Sequence, residues 1–166
     1  MFPHFGIIAL AALIPMIVGF IYYNPKVVGT AWMKASGVTD EKMKGANMPL
    51  IFGMSLLLSF FLGMGVWPLV VHQTGVFSLF ANDPGFIMGD ASSISALGEL
   101  MDLYGGRFRT FGHGALHGTV AGIAIVLPIM GTNNLFERKP FKLTLINTAY
   151  WTITLALMGG VLCQWG

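Results

Sequence analysis

Residues Gly19–Met33 read GFIYYNPKVVGTAWM, and the fold class follows from how an apolar run ends inside them. Tyr22-Tyr23 suits the boundary between hydrocarbon and headgroups, where the ring is dry and the hydroxyl wet. Asn24-Pro25 stops a helix, because the residue before a proline is pushed out of the α region. Lys26 is the first side-chain charge in the chain. Beyond it Val28, Ala31, Trp32 and Ala35 recur at helical spacing, with Lys34 off that stripe and Gly37 placed as a C-cap. The stretch reads as a membrane exit followed by a short helix on the membrane surface.

Composition points the same way. The 166 residues are 55% hydrophobic and only 10% charged, with a mean hydropathy of +0.73. Soluble domains carry about 25% charged residues, so lipid must replace part of the aqueous solvent. A net charge of +2 leaves no nucleic-acid footprint, and the lone Cys163 has no internal disulfide partner. The opening MFPHFG lacks Lys and Arg, and no small-residue cleavage pattern ends the first apolar run. A retained first span is therefore expected.

Outward from Gly19–Met33, four stretches reach the roughly 20 residues a spanning helix needs. They are Phe5–Tyr23, Pro49–Val71, Phe111–Met130 and Leu143–Leu162, all free of Asp, Glu, Lys and Arg. The expected fold is an all-α membrane protein: a four-transmembrane-helix bundle with short interfacial helices, one domain over residues 1–166. Thr39-Asp40-Glu41 should start a short helix as N-cap and acidic first turn. Pro49 fits the first turn of the second span, and Pro68 should kink its far end. In the loop 72–110, Asn82-Asp83-Pro84-Gly85 marks a turn and Ser93–Tyr104 reads as a helix. Ile94, Leu97, Met101 and Tyr104 form its apolar stripe, with Glu99 and Asp102 opposite.

Basic residues set the orientation. Seven of the nine Lys and Arg fall in the loops 24–48 and 131–142, and only Arg107 and Arg109 in the loop 72–110. The positive-inside rule puts the first two loops in the cytoplasm and both termini outside.

Two separated motifs carry a resemblance. One is Tyr23-Asn24-Pro25 followed by Gly29-x-x-Trp32-Met33. The other is Asn134-Leu135-Phe136-Glu137, then Pro140-Phe141-Lys142-Leu143, Ile146-Asn147 and Tyr150. In these the chain resembles a family of small bacterial membrane proteins, the domain of unknown function numbered 1761. The resemblance covers the spans beside each motif and, more loosely, the second span. It implies a four-helix protein of the bacterial inner (plasma) membrane, and no established activity, cofactor or catalytic residue. The loop 72–110 is longer than the family pattern.

Gly114, Gly118 and Gly122 recur every four residues, a spacing that lets another helix approach closely, within the chain or from a second copy. Asn147 is expected to donate a hydrogen bond between helices. His113 and His117 lie one turn apart on the third span, and His72, His4 and Cys163 fall at the same, outer end. Imidazoles at i and i+4 on one helix face can share Zn or Cu. His72 would be a third ligand, and Glu99 or Asp102 an oxygen ligand or a partner for an imidazole N–H. The alternative reading keeps the histidines as plain hydrogen-bonding groups, with Arg107 and Arg109 neutralising the two carboxylates. No nucleophile triad, P-loop or nucleotide fingerprint stands out, and no charge lies within a span to carry a proton relay. The function expected is therefore non-enzymatic: helix packing in the lipid bilayer, as a homo-oligomer or a subunit of a larger membrane complex. The second expectation is an outer-face site for a metal ion, haem or small ligand, and the third a small transporter.

Overall fold

Four helices are long and apolar enough to cross a membrane: Phe5–Tyr22, Met48–Val70, Phe111–Phe136 and Phe141–Trp165. The computed structural model describes residues 3–166, which are all-α, with no strand among the described residues.

Local chemistry sets the ends of these spans. Asn24 closes the first and caps the next turn, its Oδ1 accepting from the Lys26 amide at 2.9 Å. The chain then runs through a π-helical turn, Pro25–Gly29, into the helix Thr30–Ser36, which stops at Gly37 in the left-handed region (φ 74°). Thr39 caps Asp40–Lys44, and Asn47 caps the second span with Pro49 in its first turn. Pro68 lies inside the last turn of that span.

Several boundaries differ from the sequence reading. The first span is not one unbroken helix: Phe5–Ala11 and Ile14–Tyr22 are separated by a turn at Ala12-Leu13. Pro15 is the cause, since it has no N–H to donate one turn back. The third span continues to Phe136 rather than ending at Met130, so the expected loop 131–142 shrinks to four residues. Asn133 and Asn134 are helical; the Asn134 amide donates to Thr144 Oγ1 at 2.9 Å, and the chain leaves the helix through Arg138 at φ 54°. The fourth span begins at Phe141, two residues early. In the long loop the helix starts at Ala91, capped by Asp90, and two helices not foreseen precede it, Gln73–Phe80 and Pro84–Met88. Asp83 and Pro84 of the expected turn serve as N-cap and first residue of the second of these.

The fourth span is the hub. Twelve of its 25 residues are buried, against five of 23 in the second span. Its closest neighbour is the third span. A Cβ added to Gly114 would lie 2.1 Å from the Gly159 carbonyl oxygen, and one on Gly118 would lie 2.0 Å from that of Leu155. Gly122 meets Thr152 in the same way. The glycine ridge is thus filled by this chain's own fourth span, the within-chain form of the close approach expected of it. A second π-helical turn, Gly122–Val126, inserts one residue into the third span. The ridge therefore resumes at Gly131, against Thr144, rather than at Met130.

The first span is latched to the same hub by tyrosines. Tyr150 donates to the Pro15 carbonyl at 2.9 Å and Tyr22 to the Ile146 carbonyl at 3.0 Å. Tyr23 donates to Asn147 Oδ1 at 3.1 Å, so Asn147 is the acceptor in this pair, not the expected donor. The hydroxyls of Tyr22 and Tyr23 are spent on the fourth span rather than on headgroup water.

Candidate metal centre

Thr110 caps the third span through its side chain and fixes where the helix starts, which sets His113 in the first turn and His117 one turn on. The start is also tied to the end of the fourth span: the Phe111 amide donates to Gln164 Oε1 at 3.0 Å, and Arg109 donates to the Gly166 carbonyl. On the second span, Val71 turns extended after Pro68, and Thr74 Oγ1 closes the corner on the Val71 carbonyl at 2.7 Å. His72 sits at that corner.

These two local structures bring three imidazoles together. Nε2 of His72 lies 2.8 Å from Nε2 of His113, a hydrogen bond in which one ring donates and the other accepts. Ring centroids are 4.8 Å apart for His72–His117 and 4.5 Å for His113–His117. One ring nitrogen from each residue falls within 4.8 Å of the others, and His72 is exposed while the other two are half-buried. In a tetrahedral zinc site with Zn–N of about 2.0–2.1 Å, ligand nitrogens stand about 3.3 Å apart. The His72 and His113 nitrogens, at 2.8 Å, stand closer than that spacing, so a shared ion would replace their hydrogen bond and move the two rings apart.

The other sequence candidates lie elsewhere. Glu99 and Asp102 are exposed on the helix Ala91–Tyr104 and outside the group of converging donors; Glu99 accepts from Ser95 at 3.1 Å. Arg107 is not spent on those carboxylates either: its guanidinium lies over the rings of Tyr104 and Phe108, at 5.6 and 5.4 Å. His4 caps the first span, its Nδ1 accepting from the Ile7 amide. The buried Cys163 sulfur lies 3.2 and 3.3 Å from the Val70 and Phe108 carbonyl oxygens, which share its single S–H donor. Asp90, at the start of the surface helix, has its carboxyl held below the usual range, first by the Ser92 hydroxyl and then by the Ser93 amide.

Two residues that sequence reasoning missed frame the cluster. Phe108 stacks on His113 with centroids 4.8 Å apart and planes 18° apart. It does so at φ 64°, which an aromatic residue adopts only at a cost of order 1–3 kcal/mol that the surroundings must offset. Gln73, next to His72 and 5% exposed, donates to the carbonyls of Tyr104 and Arg107 at 2.9 and 2.8 Å and so pins the loop that carries Phe108. Its position was a signal: a polar amide in an apolar run that soon becomes a helix.

No curated protein and no solved structure matches the chain. One family model does, over residues 7–163, and its description is "Protein of unknown function (DUF1761)". A match of that extent covers all three histidines as well as the glycine ridge, and on it the chain belongs to the DUF1761 family.

Proposed function

We propose that this is a four-span protein of the bacterial inner membrane whose role is to bind a first-row transition-metal dication, Zn²⁺ or Cu²⁺, through His72, His113 and His117. The observation that carries the reading is the convergence of one ring nitrogen from each of the three within 4.8 Å. Three neutral imidazoles without a thiolate suit Zn and Cu, and three protein ligands leave a fourth position open. The segment from His72 to Arg109 holds Asp83, Asp90, Glu99 and Asp102 against Arg107 and Arg109, a modest excess of negative charge at this end of the chain. By the distribution of basic residues this end faces outward, with both termini. A homo-oligomer or a larger membrane complex would have to form through faces other than Gly114–Gly118–Gly122. The role needs no reaction chemistry from the protein, in keeping with the non-enzymatic expectation.

The test is metal titration of chelator-stripped protein in mild detergent. One Zn²⁺ per chain is expected, with X-ray absorption showing nitrogen neighbours at about 2.0–2.1 Å. Replacing His113 or His117 with Ala should weaken binding by about 100-fold or more, since even outer partners of metal ligands are worth 10–100-fold. Protons compete for the same lone pairs, so affinity should fall as the pH is lowered. Wild-type stoichiometry in a chain lacking all three imidazoles would refute the assignment.

A further inference from the structure

Beside the histidine cluster, the surface helices Gln73–Phe80 and Ala91–Tyr104 enclose a cleft of about 430 Å³, inside the roughly 300–1,000 Å³ range of small-molecule sites. Val76, Leu79, Phe80, Leu100 and Met101 make its walls. Leu79 is 80% exposed and marks its open edge. Because the helix Gln73–Phe80 begins directly after the second span, the cleft lies where the apolar part of a bilayer gives way to headgroups. His72 and Phe108 form its inner end, and among the described residues Arg107 is the one Lys, Arg, Asp or Glu that lines it.

Arg107 decides the occupant. Its guanidinium carbon lies over the Tyr104 and Phe108 rings, 5.6 and 5.4 Å from their centroids, contacts that do not use up a guanidinium's capacity to donate N–H bonds. Among the described residues no Asp or Glu lines the cleft to accept them. An apolar channel with one cation at its polar end is complementary to an apolar chain with one negative charge at its head. A carboxylate matches that charge and takes the two-pronged geometry a guanidinium offers. A phosphate monoester, near −2 at neutral pH, would leave charge unmatched beside an acidic segment.

We propose that the cleft binds a single-chain amphiphilic carboxylate, a fatty acid in chemical class, with its chain between the two surface helices and its head at Arg107, beside His72. The part concerning Arg107 and the cleft is independent of the metal. The part concerning His72 rests on the metal reading: the head would then occupy the fourth coordination position.

The experiment uses the whole chain in phosphatidylcholine nanodiscs, stripped with chelator, and a fluorescent fatty acid (parinaric acid) as probe. One probe per chain should bind in the absence of metal. Hexadecanoate should displace it about tenfold better than hexadecanol or hexadecyl phosphate, the size expected for one charge-assisted pair. Arg107→Gln should weaken the probe by a similar factor, and Leu100→Trp should abolish binding by filling the cleft, both with unchanged thermal stability. Equal competition by acid and alcohol, or wild-type binding in Arg107→Gln, overturns the proposal; so does failure of the probe to bind. Zn²⁺ added afterwards should tighten the probe on the wild type and not on His72→Ala. If the acid preference and the Arg107 dependence hold but Zn²⁺ has no effect, the metal-bound head is refuted and the carboxylate cleft stands.

Discussion

Gly118 has no side chain, and the fold needs it that way. Any Cβ there would fall 2.0 Å from the Leu155 carbonyl oxygen, and backbone cannot give way as a side-chain tip can. In lipid there is no hydrophobic term to compensate for lost contact. Gly118→Leu should therefore cost at least the roughly 1–3 kcal/mol typical of overpacking and lower the thermal midpoint in detergent, while Gly112→Ala, with open space around it, should leave it unchanged. Equal midpoints for the two variants would mean the third and fourth spans do not touch. At this scale the sequence was partly legible. Glycine every fourth residue announced a close approach but not to which helix, because spacing describes one surface only. His113 and His117 were legible as a pair for the same reason, and His72 as their third member because it leaves the second span at the same end; the turn after Pro68 is what brings it there. The carboxylates of Glu99 and Asp102 share that end of the chain but not its centre. Phe108 left no trace in the sequence, since nothing in a residue's type declares a positive φ.

Helix interruptions were the hardest elements to foresee. Hydropathy reports that a segment can enter lipid, and is blind to whether its hydrogen-bond ladder is continuous. Pro15 did signal the break in the first span, and an unbroken apolar run masked it. The π-helical turn Gly122–Val126 has no such signal: GIAIV would serve equally well in a regular helix. Its effect is testable by length. Deleting Ala124, an exposed residue of that turn, should return the segment to α geometry and keep Gly114–Gly118–Gly122 and Gly131 on one face. Deleting Leu116, also exposed but in regular helix, turns the remaining face by about 100°, as 3.6 residues per turn requires. The first variant should retain a cooperative thermal transition in detergent and the second should not; loss of the transition in both would remove the reason given for the insertion. The short surface helices Gln73–Phe80 and Pro84–Met88 were missed because five to eight residues are too few for periodicity to stand out; the first has no side-chain cap to announce it, although the cap of the second, Asp83, was in plain view.

Across the whole molecule the two ends differ in charge. Lys26, Lys34, Lys42, Lys44, Arg138, Lys139 and Lys142 share one end with Asp40, Glu41 and Glu137, and the histidine end holds Arg107 and Arg109 with four carboxylates. Applied to that asymmetry, the positive-inside rule predicts the orientation proposed above, with both termini outside. A green-fluorescent reporter fused after Gly166 should stay dark and a periplasmic phosphatase fused there should be active; the reverse pattern would turn the molecule over and put the histidines in the cytoplasm. Four apolar helices and an all-α fold could be read from composition and run length, because both are sums over many residues. The arrangement of the spans could not, because it hangs on a few tyrosine hydroxyls and glycine gaps.

That arrangement has a consequence for how the protein is built. If the four spans enter a bilayer as proposed, synthesis delivers them in order, and the helix that holds the others is the last of the four to arrive. Until Tyr150 enters the bilayer, the first span's turn at Pro15 has no latch; until Gly159 does, the ridge on the third span faces lipid or a wrong neighbour. The earlier helices must wait, inserted but unassembled, for the time the ribosome takes to reach Tyr150 and Gly159. A cell's membrane quality control would meet this protein, if at all, in that interval.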